Sequence, residues 1–217
     1  MASEKENVFL FVPNIIGYLR IVLALLSFYY MPHNYISCSI CYIVSVILDA
    51  FDGHAARYFN QSSKFGAMLD QLTDRCGTMG LLVTLCIFYP KYMLIFQLSM
   101  VIDISCHWLY LHSTILSGKS SHKLIDLSGN PVMKLYYESK LVLGFMCMTN
   151  ELFYAGLYLY HFTPGPMILG LSSIKLVIML TMPCAIVKTL ISVIHGYVAC
   201  CNIATLDVAE REKLKPN

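Results

Sequence analysis

The sequence predicts an all-α integral membrane bundle of six transmembrane helices, preceded by a short N-terminal interfacial helix. Three observations predict it. The chain is 57% hydrophobic and only 13% charged, whereas about a quarter of the residues in a soluble domain are charged. Its apolar residues gather in runs close to the ~20 residues that a helix needs to cross a bilayer. Each run but the last is closed by turn-forming residues before the next begins.

The elements follow in order. Residues 6–13, "ENVFLFVP", are short, apolar and end on Pro13, as suits a helix lying along the interface. The first span, near 14–30, stops at "MPHN", the second, near 36–58, at "NQSSKFG", and the third, near 67–89, at "YPK". The fourth, near 92–115, runs into a long polar connection over about 116–139 containing "SGKSSHKLIDLSGNP". The fifth, near 140–161, stops at "HFTPGP", and the sixth covers about 168–200. A length of 217 residues with no internal repeat suits a single domain over 1–217.

Charge sets the expected orientation. With six spans both termini share a side. Lys5, Arg57, Lys64, Lys119, Lys123, Lys134, Lys140, Arg211, Lys213 and Lys215 lie on that side, against Lys91 and Lys175 on the other. The excess of Lys and Arg places both termini in the cytosol. The ending "KLKPN" resembles a dilysine retrieval signal for the endoplasmic reticulum, although a solvated basic tail reads the same way. The start, "MASEKEN", is polar and has no cleavable apolar leader. Nine cysteines are scattered through apolar segments, which speaks against a disulfide framework. Cys38 and Cys41 form a lone C-x-x-C with no second pair for zinc; a disulfide between them is the open alternative to packing. No basic patch with interleaved aromatics is present, so nucleic-acid binding is set aside.

One stretch breaks the apolar pattern: "LDAFDGHAARYFNQSSKFGAMLDQLTDRCG", residues 48–77. It carries Asp49, Asp52, Asp70 and Asp74. An Asp at mid-bilayer costs about 3 kcal/mol, so four unpaired there would cost roughly 10 kcal/mol. Asp49 and Asp52 are three apart and Asp70 and Asp74 four apart, so each pair shares a helix face. A short turn makes the two helices antiparallel, and the acidic faces meet at one depth near the cytosolic surface. Four carboxylates that close repel unless cations sit among them. Hard oxygen ligands suit two Mg²⁺ or Mn²⁺ ions. Gly53, Ala56 and Gly66 leave room for a bulky group. Arg57 offers a fork for phosphate oxygens, and Ser63 and Lys64 offer donors from the turn. Together these features suggest a diphosphate with a lipid tail.

The spacing D49-x2-D52-G53-x2-A56-R57-x8-G66-x3-D70-x3-D74 resembles the signature of the CDP-alcohol phosphatidyltransferase family at every fixed position. Eight such residues coincide by chance in roughly one window in 10⁹. "PNIIGYLR", Pro13 to Arg20, is similar to the family's first-helix pattern, with Gly17 where many members have Thr. "ILDAFDGHAAR", "SHKLIDLSGNPV", "NELFYAGLYLYHF" and "LISVIH" resemble the eukaryotic branch that uses inositol as acceptor.

The resemblance implies transfer of the phosphatidyl group of CDP-diacylglycerol to myo-inositol, giving phosphatidylinositol and CMP at a bilayer surface. It implies that Asp49, Asp52 and Asp70 hold two divalent ions, with Asp74 as general base that also touches the second ion. Gly53, Ala56, Arg57, Ser63 and Gly66 are expected around the CDP part, and Asn14 near the cytidine. The family includes homodimers, although no residue here demands one. Two other readings stay open on the residues alone. One is the same chemistry with glycerol phosphate, serine or choline, because the signature reads the donor and metals. The other is a cation transporter, which needs neither the Gly nor the Arg positions and would need polar residues beyond Arg75, where the third span is apolar.

Other polar residues carry weaker signals. Asp103 and His107 could hold inositol hydroxyls or bond to each other within helix packing. Glu151 and Lys188 are intramembrane charges for which pairing across helices is the simpler account. The connection with His122, Lys123, Asp126, Ser128 and Asn130 is expected to help select inositol, with His122 and Lys123 as candidate contacts. A solvated loop is its alternative.

Overall fold

The computed structural model describes residues 6–117, 139–168 and 170–214. The described residues are almost entirely helical: α1 (Val12–Tyr30), α2 (Tyr35–Tyr58), α3 (Lys64–Phe88), α4 (Met93–Ser117), α5 (Lys140–Phe162) and α6 (Ser173–Lys213). Single turns of 3₁₀ helix at Val8–Leu10 and Pro90–Tyr92 precede α1 and α4. Among the described residues, α1, α2, α4, α5 and α6 are apolar and long enough to cross a membrane. In α3, Lys64, Asp70, Asp74 and Arg75 crowd the first half, and only the second half is continuously apolar. The chain divides into two compact units, residues 1–88 and 89–217.

In the first unit α1 packs along α2 and against α3. Its burial is inverted relative to a soluble helix. Pro13, Asn14, Gly17, Arg20 and Ser27 are buried, spaced so that they form one stripe. Ile15, Leu19, Val22, Leu25, Leu26 and Tyr29 are exposed. Outside a membrane this arrangement would waste the apolar surface; inside one, small and polar residues belong between helices and apolar ones face lipid. Close approach is enforced at Gly80, where a Cβ would lie 2.3 Å from the Phe28 ring. Cys38 is buried against the Ser27 hydroxyl at 3.3 Å, and both Cys38 and Cys41 are free thiols, so the packing reading of C-x-x-C holds and the disulfide does not.

The α2–α3 turn is locally determined. Asn60 takes a left-handed conformation (φ +55°), which Asn tolerates better than most residues. The Gln61 N–H donates to the Ala56 carbonyl and the Asn60 N–H to that of Arg57, closing α2 with a Schellman motif. Ser63 Oγ accepts from the Gly66 N–H at 2.9 Å and caps α3. Gln61 also reaches the start of α1, its Oε1 accepting from the Val12 N–H at 2.9 Å.

In the second unit α4 and α5 each pack on α6. Met146 and Ile191 are buried together with Val142, Leu143 and Cys184 around them. The ring of Tyr110 stacks on His195 at 5.6 Å, and Gly196 lets α6 approach Cys106. The helix that carries the expected sixth span starts later than that span and runs beyond it. Met167–Ile168 pairs antiparallel with Leu171–Ser172; Pro164 and Pro166 stop the preceding helix, and Ser172 caps α6 by accepting from the Lys175 N–H. At the other end α6 continues to Lys213. At 1.5 Å per residue its 41 residues span about 60 Å, roughly twice a hydrocarbon core, so its charged end, Asp207–Lys213, projects beyond the apolar layer.

Candidate active site

The four aspartates converge within the first unit. One oxygen from each of Asp49, Asp70 and Asp74 lies within 4.8 Å of the others. The helical spacings explain this: Asp49 is one turn before Asp52 on α2, and Asp70 one turn before Asp74 on α3.

A residue that the sequence reading did not assign to the site lies at its centre. Arg20 of α1, only 2% exposed, contacts all four carboxylates. Its Nη1 donates to Asp52 Oδ2 and Asp70 Oδ1, each at 2.6 Å. Its Nη2 donates to Asp74 Oδ1 at 2.6 Å and lies 2.5 Å from Asp49 Oδ1. The signal was available: an arginine inside an apolar span is a functional candidate by default. The expectation that cations sit among the carboxylates is met in part by this guanidinium, which supplies one positive charge. It cancels one of four negative charges. The remaining three, on hard oxygen donors with the Asp49, Asp70 and Asp74 side chains about 40% exposed, are the chemistry a Mg²⁺- or Mn²⁺-class ion fits.

Beside this cluster is an open groove. Asn14, Gly53, Ala56, Arg57, Ser63 and Gly66 all line it, next to Asp52 and Asp70. Gln61 and Ser62 line it as well, which the motif did not indicate. Asn14 is 1% exposed; its Nδ2 donates to the Val8 carbonyl at 2.6 Å, while its buried Oδ1 has no partner among the described residues. Gly66 is held to glycine by proximity: a Cβ there would lie 2.7 Å from Asn14 Oδ1 and 3.1 Å from Ser63 Oγ.

The other candidates belong to the second unit or lie outside the described residues. Asp103 and His107 interact within one turn of α4, His107 Nδ1 lying 2.6 Å from the Asp103 carbonyl oxygen and 3.5 Å from its carboxylate. Lys188 is buried on α6. His122, Lys123, Asp126, Ser128 and Asn130 lie outside the described residues.

Comparison with known proteins gives a consistent result. The family model for CDP-alcohol phosphatidyltransferase matches residues 10–127. A Drosophila melanogaster protein named CDP-diacylglycerol–inositol 3-phosphatidyltransferase is 58% identical, covering 97% of this chain and 92% of its own length. The Homo sapiens protein of the same name is 54% identical over 97% of this chain and 99% of its own. The Schizosaccharomyces pombe one is 40% identical over 98% and 97%. No solved structure matches the chain significantly.

Proposed function

The chain belongs to the CDP-alcohol phosphatidyltransferase family, and from that membership we propose that it transfers the phosphatidyl group of CDP-diacylglycerol to myo-inositol, releasing CMP. The observation that carries this reading is the convergence of the eight signature residues. Asp52, Gly53, Ala56, Arg57, Gly66 and Asp70 line the groove, and Asp49 and Asp74 join Asp52 and Asp70 at Arg20. The names of the relatives that match over nearly the whole chain support inositol as acceptor.

Members of the family are metal-dependent, and the donor set here suits two ions of the Mg²⁺ or Mn²⁺ class held by Asp49, Asp52, Asp70 and Asp74. When bound, such ions polarise the diphosphate and offset the charge that develops on departing CMP. The chain's own residues do the rest. The Arg57 guanidinium, on the groove wall, pairs with phosphate oxygens. Ser63 Oγ accepts from Gly66, which leaves its hydroxyl proton to donate to a phosphate. The unpartnered Asn14 Oδ1 suits the exocyclic amino group of cytosine. Asp74 takes the proton of an inositol hydroxyl as that oxygen attacks the phosphorus bearing the lipid, and the bond from that phosphorus to the CMP oxygen breaks. A carboxylate is a weak base for an alcohol, so fixed positioning supplies much of the acceleration. The acyl chains remain in the bilayer while inositol arrives from the cytosol. The excess of Lys and Arg on one side supports termini and a site that face the cytosol, and the spacing of Lys213 and Lys215 is compatible with the endoplasmic reticulum membrane.

The direct assay offers the membrane-embedded protein CDP-diacylglycerol, Mg²⁺ or Mn²⁺, and each alcohol in turn. CMP is expected with inositol alone; release with serine or glycerol phosphate and not with inositol overturns the acceptor assignment. Gly66→Ala is expected to raise the KM for CDP-diacylglycerol about tenfold, equivalent to ~1.4 kcal/mol, through displacement of Asn14 and Ser63. An unchanged KM would show that the groove is not the donor site. Lys123→Ala is expected to raise the KM for inositol while leaving that for CDP-diacylglycerol unchanged. Identical inositol dependence would remove Lys123 from acceptor binding.

A further inference from the structure

We infer that Arg20 is a built-in cation that assembles the acidic site before any divalent ion arrives, a positioning residue that remains beneath the ions once they bind. The second half of this inference rests on the metal reading above; the first half does not.

Four observations carry it. Each prong of the guanidinium joins one carboxylate from α2 to one from α3. Nη1 takes Asp52 and Asp70, and Nη2 takes Asp49 and Asp74, all at 2.5–2.6 Å. Arg20 is thus a two-point stitch between the helices that bear the site, supplied by α1, which packs against both. Second, Arg20 is 2% exposed while the side chains of Asp49, Asp70 and Asp74 are 43%, 45% and 39% exposed. The guanidinium therefore occupies the closed end of the cluster, and the carboxylates keep an open side. Third, each contact with Arg20 is made through one carboxylate oxygen, and a carboxylate has two. The remaining oxygens are the ones an ion can take without expelling Arg20. Fourth, one positive charge against four negative ones leaves the cluster anionic and still attractive to divalent ions. A partner that orients first-rank ligands through their other atom is a recurrent arrangement at metal sites. Only arginine supplies two prongs; a lysine ammonium is a single point charge.

The test separates this role from ordinary packing. Wild type, Arg20→Met, Arg20→Lys and the double variant Arg20→Met/Asp52→Asn are purified as full chains in Mg²⁺. Melting temperatures are then measured in chelator and in saturating Mg²⁺. In chelator, Arg20→Met is expected to melt about 10 °C below wild type, the shift appropriate to an uncompensated, partly buried charge cluster in a chain of this size. Mg²⁺ restores at least half of that loss, Arg20→Lys falls between, and adding Asp52→Asn restores stability in chelator by removing one repelling charge. If Arg20→Met does not stay folded in chelator, that is the loss in its extreme form, and the double variant decides: recovery supports the inference, no recovery overturns it. Equal losses in chelator and Mg²⁺ would make Arg20 a packing residue only, and no loss in chelator would remove the role altogether. Mn²⁺ binding to wild type, followed by electron paramagnetic resonance, is measured alongside. Absence of binding there defeats the metal reading, while the Asp52→Asn rescue still judges Arg20.

Discussion

Asp74→Asn is expected to lower CMP release by about 10³-fold, the scale of a lost general base, while the chain stays folded. The asparagine keeps the size and one oxygen of the side chain, so Arg20 Nη2 retains an acceptor where Asp74 Oδ1 stood. Removing one of four clustered negative charges relieves repulsion, so the melting temperature in chelator should hold or rise. What disappears is the only part of Asp74 that can accept the inositol proton. A variant with the stability of wild type and no turnover therefore locates the defect in chemistry. Turnover within tenfold of wild type would mean that another group takes the proton. An Asp74→Glu variant refines the result: a carboxylate displaced by one methylene should regain only part of the rate if position matters as argued.

Removing divalent ions should be as severe. In chelator, wild type is expected to lose turnover by at least about 10³-fold, and added Mg²⁺ or Mn²⁺ to restore it. Asp70→Asn should reproduce the loss without restoration, because Asp70 both faces the groove and contributes an oxygen to the acidic cluster. Its Mn²⁺ affinity, read by electron paramagnetic resonance, should fall at least tenfold, which activity alone could not reveal. The comparison distinguishes two causes of inactivity: Asp70→Asn fails to hold ions, whereas Asp74→Asn fails mainly at proton transfer. Full turnover of wild type in complete chelation would falsify metal dependence for this chain.

Much of the site was legible in the chain itself because helical geometry is local. Intervals of three and four put Asp49 with Asp52 and Asp70 with Asp74 on shared faces, and the turn between α2 and α3 follows from Asn60, Ser63 and Gly66. Glycines at 53 and 66 and arginine at 57 follow the same local logic, and all three line the groove. Arg20 is different. It lies 29 residues before Asp49, on a helix whose exposed and buried faces cannot be separated by apolar periodicity, because nearly every position outside the stripe is apolar. Its significance depends on α1 rotating that stripe toward α2 and α3. Gln61 and Ser62 likewise became groove residues only once the turn was closed. The start of α6 shows the reverse limit: hydropathy carried the expected span back to about 168, but Met167–Ile168 pairs with Leu171–Ser172 and a capping serine starts the helix at Ser173.

The amino-acid order alone determined an all-helical membrane chain, the pairing of acidic residues on two helix faces, and the family-like pattern of aspartates, glycines and arginine. These depend on composition and on spacings within one or two turns, which the backbone fixes before anything packs. Only the tertiary structure decided what stands among the carboxylates. A buried charge must find its partners in three dimensions, and Arg20 found all four by approaching from a third helix.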